Sequence, residues 1–177
     1  IREYVKDQSI SYAQNFIHLI ELERKNKTGK LNLNHCDLTA VPAELASMTW
    51  IQDLNLANNK ILSIKNLGKL KNTKYLNLSN NQLEDLTGIG NMTELIELNI
   101  SNNYISSTYE LGRFSKLKQL RMSNNKISSI GSIIELRQLQ SLYLDDNKFI
   151  KIPNLSKLSS LIILSLNSNK IKQIIDL

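Results

Sequence analysis

A single cysteine in 177 residues leaves no partner for an internal disulfide, so the stapled caps of many extracellular repeat proteins are excluded. Histidines number two, and there is no glycine-rich phosphate loop, no cluster with metal-ligand spacing and no Ser-His-acid set. The chain therefore has little from which to build a catalytic centre, and we expect no enzymatic activity, no cofactor, no metal and no small-molecule substrate. No apolar run reaches the length of a membrane span and no signal-like stretch opens the sequence. These scarcities favour the cytoplasm. Aromatic residues make up only 6% and no arginine-rich run occurs, which counts against a nucleic-acid surface despite 22 Lys+Arg facing 16 Asp+Glu. The sequence opens at Ile1 without an initiator Met and stops partway through a repeated unit at Leu177, so we expect a piece of a longer protein whose C-terminal end continues or pairs.

What the chain has in quantity is repetition. One pattern recurs from Thr28 onward, as in Ile51-x-x-Leu54-x-Leu56-x-x-Asn59-x-Ile61 and Leu95-x-x-Leu98-x-Ile100-x-x-Asn103-x-Ile105. Its asparagine falls at Asn59, Asn81, Asn103, Asn125, Asn147 and Asn169, a constant spacing of 22 residues, with Cys36 holding the corresponding place in the first copy. A fixed period of this length signals a solenoid, in which each unit is too small to fold alone and gains stability by stacking on its neighbours.

Within a unit the Leu-x-Leu segment alternates apolar and polar residues, which predicts a half-buried strand with Leu54 and Leu56 inward and Asp53, Asn55 and Ala57 outward. After the asparagine the apolar positions come every third residue, as in Ile127, Ile130, Ile133 and Leu136. That period suits 3₁₀ turns and extended segments. The asparagine sits where the chain leaves the strand, and its amide is expected to satisfy backbone groups of the bend. Ahead of the first unit, Ile10, Ala13, Phe16, Ile17 and Ile20 recur at helical spacing. With Ser9 as an N-cap and Gly29 closing the segment, this predicts a helix over about 9–26. The organisation expected is a helical cap, residues 1–27, followed by one continuous array of seven repeats, 28–177, the last incomplete.

The few chemically capable residues have structural explanations. His35 and Cys36 are adjacent, but Cys36 occupies the inward asparagine position and His35 the rim; His18 is expected to face solvent from the cap helix. Lys60, Lys126, Lys148 and Lys170 share one repeat position and would line up as a basic edge. Between the strand leucines the outward residue runs Asn32, Asn55, Asn77, Asn99, Arg121, Tyr143, Ser165. Four asparagines in register suggest an amide ladder across the stack. Where that series breaks, at Arg121 and Tyr143, stand two residue types common at binding hot spots. With Tyr75, Glu97, Gln119, Asp145 and Ile163 on the same face they form the candidate partner-binding patch, with an Arg121–Asp145 pair as its ordinary surface explanation.

The unit Leu-x-x-Leu-x-Leu-x-x-Asn-x-Ile-x-x-Ile-x-x-Leu resembles the 22-residue class of leucine-rich repeat, as in bacterial internalins and a regulatory subunit of a eukaryotic protein phosphatase. The resemblance covers Leu31 to Leu177. It implies an α/β solenoid shaped as a horseshoe or arc, with a parallel concave sheet, a 3₁₀ and irregular convex side, and protein–protein recognition on the concave face. The Ser-Pro-Leu that internalins commonly carry after the asparagine stretch is absent here, Pro42 and Pro153 being the only prolines, which counts against a surface adhesin while leaving a secreted or effector protein open. The opening segment from Lys27 to Pro42, with Leu38-Thr39-Ala40-Val41-Pro42 and Trp50 beyond it, looks like the start of the repeats in bacterial Roco-type proteins, which carry a GTPase module after them. The function expected is a non-enzymatic module that binds a protein or peptide on its concave face. The alternatives are a regulatory segment of a larger protein such as a Roco-type GTPase, and a basic scaffold for nucleic acid.

Overall fold

A computed structural model of the chain describes residues 16–172. The expected cap positions Ser9, Ile10 and Ala13, and the end of the last repeat at Ile174, lie outside the described residues. Seven strands of three residues each follow at the repeat spacing: β1 (Lys30–Asn32), β2 (Asp53–Asn55), β3 (Tyr75–Asn77), β4 (Glu97–Asn99), β5 (Gln119–Arg121), β6 (Ser141–Tyr143) and β7 (Ile163–Ser165). They pair in parallel in chain order to form one sheet. The register is uniform: Leu31, Leu54, Leu76, Leu98, Leu120, Leu142 and Leu164 face one another along the stack. From Leu31 to Leu142 this column is buried, and at β7, the last strand of the sheet, Leu164 is only half-buried. A single interior therefore runs through the coils, as the repeat period requires.

On the convex side the period-three positions fold into 3₁₀ helices at Ala43–Ser47, Lys65–Lys69, Tyr109–Arg113 and Gly131–Glu135. Each buries one leucine or isoleucine, namely Leu45, Leu67, Leu111 and Ile133. That residue's carbonyl accepts the backbone N–H three residues later, which closes the turn. In the third unit the return is made by turns around Gly88, whose φ is +105°. A Cβ there would lie 2.5 Å from the Cα of Lys65, so the absence of a side chain allows adjacent coils to approach.

The repeat asparagines join one coil to the next. Asn103 is buried; its Nδ2 donates to the carbonyls of Leu78 in the preceding coil and Ile100 in its own, at 3.0 and 3.1 Å. Its Oδ1 accepts the N–H of Leu83 at 3.0 Å. Asn81, Asn125, Asn147 and Asn169 repeat this arrangement. Asn59 does the same for the first coil, where it accepts from the N–H groups of Cys36 and Leu38. The residue just before each of these asparagines is left-handed, with φ between +52° and +57° at Asn58, Asn80, Asn102, Asn124, Asp146 and Ser168. Asn and Asp tolerate this region better than most residues, which accounts for the recurring Asn-Asn pair.

A helix over 16–26 covers the first coil. Its buried face differs from the expected stripe. Phe16, Leu19 and Ile20 turn toward the array, whereas Ile17 is 51% exposed. The fourth member of the inward face is Glu23, only 5% exposed, at the i, i+3, i+4, i+7 spacing from Phe16. One oxygen of Glu23 accepts from the Gly29 N–H at 2.8 Å and the Trp50 indole at 3.0 Å, and the other accepts from the N–H and hydroxyl of Thr28. A buried carboxylate thus ties the helix end to the first strand and the second coil. Burial alone would raise its pKa, but the bonds from Thr28, Gly29 and Trp50 outweigh this and hold it below the ordinary value.

Candidate partner-binding face

Side chains alternate along each strand, so the concave face is made of the residues on either side of the buried leucines. One column reads Lys30, Asp53, Tyr75, Glu97, Gln119, Ser141, Ile163, and the next Asn32, Asn55, Asn77, Asn99, Arg121, Tyr143, Ser165. Because the strands stand about 4.8 Å apart, each column presents its side chains at a fixed pitch across a rigid surface.

The four asparagines of the second column do not form the expected ladder. Each bonds within its own unit. The side-chain oxygens of Asn32, Asn55, Asn77 and Asn99 accept the backbone N–H two residues on, at Asn34, Ala57, Ser79 and Ser101, all at 3.0–3.1 Å. The reason is geometric: that N–H lies within the same turn as the carboxamide, and a short side chain reaches it sooner than it reaches the next strand. Amide pairs between coils do occur farther along the turn, from Asn58 to Asn34 and from Asn124 to Asn102.

Arg121 and Tyr143 cannot accept such a bond, and they interact with each other. The guanidinium of Arg121 lies 4.4 Å from the centre of the Tyr143 ring. Arg121 therefore pairs with Tyr143 and not with Asp145. The carboxylate of Asp145 is used differently: it accepts from the hydroxyls of Ser165 and Ser123 and, at 2.7 Å, from the N–H of Asn167. Partial burial would raise its pKa, yet these bonds lower it.

Tyr75, Glu97, Gln119 and Arg121 come together along one shallow groove of about 180 Å³ that Asp53 and the Asn77 and Asn99 side chains complete. Tyr143 and Asp145 stand beyond it, and Ile163 lies on the last strand, 44% exposed, next to Ile162 at 79%. Sequence reasoning passed over Asp53 and Ile162. Asp53 was readable from the register as the β2 counterpart of Tyr75; Ile162 precedes the strand and had no periodic signal.

The other candidates are dispersed. His18 and His35 are exposed, and Cys36 is half-buried against the core with its thiol pKa raised by burial. Among the described residues, no group of three or more His, Cys, Asp or Glu is placed to hold a metal ion, and no helix is long and apolar enough to cross a membrane. Of the lysine column, Lys60 pairs with Asp37 at 2.6 Å and Lys126 lies 4.9 Å from the Tyr104 ring centre.

Comparison with known proteins matches the repeats themselves. The family described as Leucine Rich repeats (2 copies) matches residues 71–113 and 93–138. No curated protein matches the chain. Among solved structures, the internalin InlF of Listeria monocytogenes is 33% identical over 73% of this chain and 38% of its own, with a TM-score of 0.69. Internalin C2 of the same organism is 32% identical over 77% of this chain and 59% of its own, with a TM-score of 0.72. A leucine-rich repeat protein of Leptospira interrogans is 26% identical over 87% of this chain and 47% of its own, with a TM-score of 0.70. The chain thus spans between 38% and 59% of the length of these structures.

Proposed function

Starting from a leucine-rich repeat protein, a class that serves generally as protein-interaction modules, we propose that this chain binds a protein or peptide on its concave face without catalysing a reaction. The contact surface is the patch Tyr75, Glu97, Gln119, Arg121, Tyr143, Asp145 and Ile163, carried on one array, residues 28–177, behind a cap of residues 1–27. The observation that supports this reading is the registered sheet. It sets an exposed tyrosine on β3, a stacked Arg–Tyr pair on β5 and β6 and an exposed isoleucine on β7 along one open face. Aromatic and arginine anchors on a rigid support lose little conformational entropy on binding, which is why they dominate interface energetics. A partner footprint of roughly 800 Å² needs the flanking loops as well as the sheet.

The test is affinity capture with the wild-type array beside an Arg121→Ala/Tyr143→Ala double variant. A partner that uses the patch is retained by the first and reduced at least about tenfold on the second. Equal retention by the two would refute the reading. A partner held instead by the lysine column would show a steep loss of binding with added salt and no dependence on the double variant.

A further inference from the structure

Surface aromatic rings of this protein commonly lie beneath a cation from the same chain. Lys27 stands 5.2 Å from the Trp50 ring centre, Arg121 4.4 Å from Tyr143 and Lys126 4.9 Å from Tyr104. Tyr75 is different. It is 41% exposed, and among the described residues no cation of the chain stacks on it. Its two neighbours in register are carboxylates, Asp53 on β2 and Glu97 on β4. Neither is in an ion pair within the described residues, although Lys30 adjoins Asp53 in the column. All three side chains line the same groove, and the one cation that also lines it, Arg121, is engaged on Tyr143.

We propose that Tyr75, between Asp53 and Glu97, seats one arginine side chain of the partner. This rests on the concave-face reading above and adds the chemistry of the contact. A guanidinium laid over the ring gains from the ring quadrupole, and its planar fork presents N–H donors to both sides. The carboxylates stand one strand spacing away on either side, about 5 Å in the backbone, so donors pointing outward from the ring centre meet an acceptor in each direction. A lysine ammonium is a point charge that serves one carboxylate at a time, which makes arginine the better occupant.

The experiment is an NMR titration of the isotope-labelled 177-residue chain with the capped tripeptide acetyl-Gly-Arg-Gly-amide, with its citrulline counterpart as the uncharged isostere. The expected result is amide shifts confined to β2–β4 with the arginine peptide, saturating on the order of millimolar, and weaker by about tenfold or more with citrulline. Asp53→Asn/Glu97→Gln and Tyr75→Leu should each abolish the localised shifts, and Tyr75→Phe, which keeps the ring, should retain them. Thermal unfolding of each variant confirms that the fold is intact. Equal response to arginine and citrulline, no localised shift, or persistence of the shifts in Asp53→Asn/Glu97→Gln would overturn the seat. If the seat fails while Arg121→Ala/Tyr143→Ala still abolishes partner capture, the concave-face reading stands; if capture ignores that pair, the reading itself falls.

Discussion

The first four strands and the last three carry the same fold but use the outward position differently. On β1 to β4 the residue after the buried leucine is asparagine, and its side-chain oxygen is committed to an N–H of its own turn. On β5 and β6 it is Arg121 and Tyr143, which leave that N–H without a side-chain acceptor and stack on one another. By β7 the task has passed to a neighbour, since the Asn167 N–H is taken by Asp145 of the preceding unit. One position is thus committed to its own turn on β1 to β4, released from that bond on β5 and β6, and tied to Asp145 through Ser165 on β7. A second asparagine set makes the contrast clearer: the amides of Asn59, Asn81, Asn103, Asn125 and Asn147 are buried between coils and leave nothing to present to a partner, and Asn169 in the last coil makes the same bonds half-buried.

The largest expected effect comes from the buried set. Asn103→Ala removes one of the two asparagine donors from each of the Leu78 and Ile100 carbonyls, which keep Asn81 and Asn125, and leaves the buried Leu83 N–H without its acceptor. The orphaned N–H costs about 1–3 kcal/mol and each lost bond to a carbonyl that keeps another donor about 0.5–1.5 kcal/mol, so a loss of about 2 kcal/mol or more in urea unfolding is expected. The concave-face counterpart Asn99→Ala, whose N–H partner at Ser101 is only partly buried, should cost only about 0.5–1 kcal/mol. Equal losses at the two positions would erase the distinction between the sets.

An intermediate effect belongs to the cap. Glu23→Gln keeps the size of the side chain but removes the charge that three donor residues address, and should cost about 1–2 kcal/mol at neutral pH. The sign of the pH dependence follows from a lowered folded-state pKa. The stabilisation is complete above the ordinary carboxylate value of 4.5 and is lost as pH falls through the lower folded value. Urea midpoints of the wild type should therefore drop on acidification below about pH 4.5, and Glu23→Gln should drop less steeply. Asp85 and Asp145 shift in the same direction, so some acid sensitivity persists in the variant.

The strands, their register, the 3₁₀ returns and the role of the coil-joining asparagines were legible because each depends on a local period that the sequence repeats. Features set by contacts between coils were less so. Helical spacing marks an apolar stripe but does not orient it, and Ile17 and Leu19 are equally apolar, so the face that packs is decided by the array beneath it. Glu23 reads as a surface residue until Thr28, Gly29 and Trp50 are folded around it. The asparagine column suggested bonding across strands because register alone was visible, whereas the competing N–H donor two residues along the same chain is a matter of turn geometry. The candidate face was legible to the extent that alternation fixes which side chains point outward. The engagement of Asp145 by its neighbours and the stacking of Arg121 on Tyr143 required coordinates.

The finest test of the comparison works on one residue. Arg121→Ala and Arg121→Asn both remove the guanidinium from the Tyr143 ring, a loss of about 0.5–1 kcal/mol at an exposed site. Only the asparagine restores the acceptor that β1 to β4 place there, aimed at the N–H of Ser123. If the first half of the array holds its asparagines for this bond, Arg121→Asn should be more stable than Arg121→Ala by about 0.5–1 kcal/mol in urea unfolding. Both variants should weaken partner capture equally, because neither presents the cation. A stability difference of zero would mean that water serves that N–H as well as a side chain does, and the asparagines of the first four strands would then need another explanation.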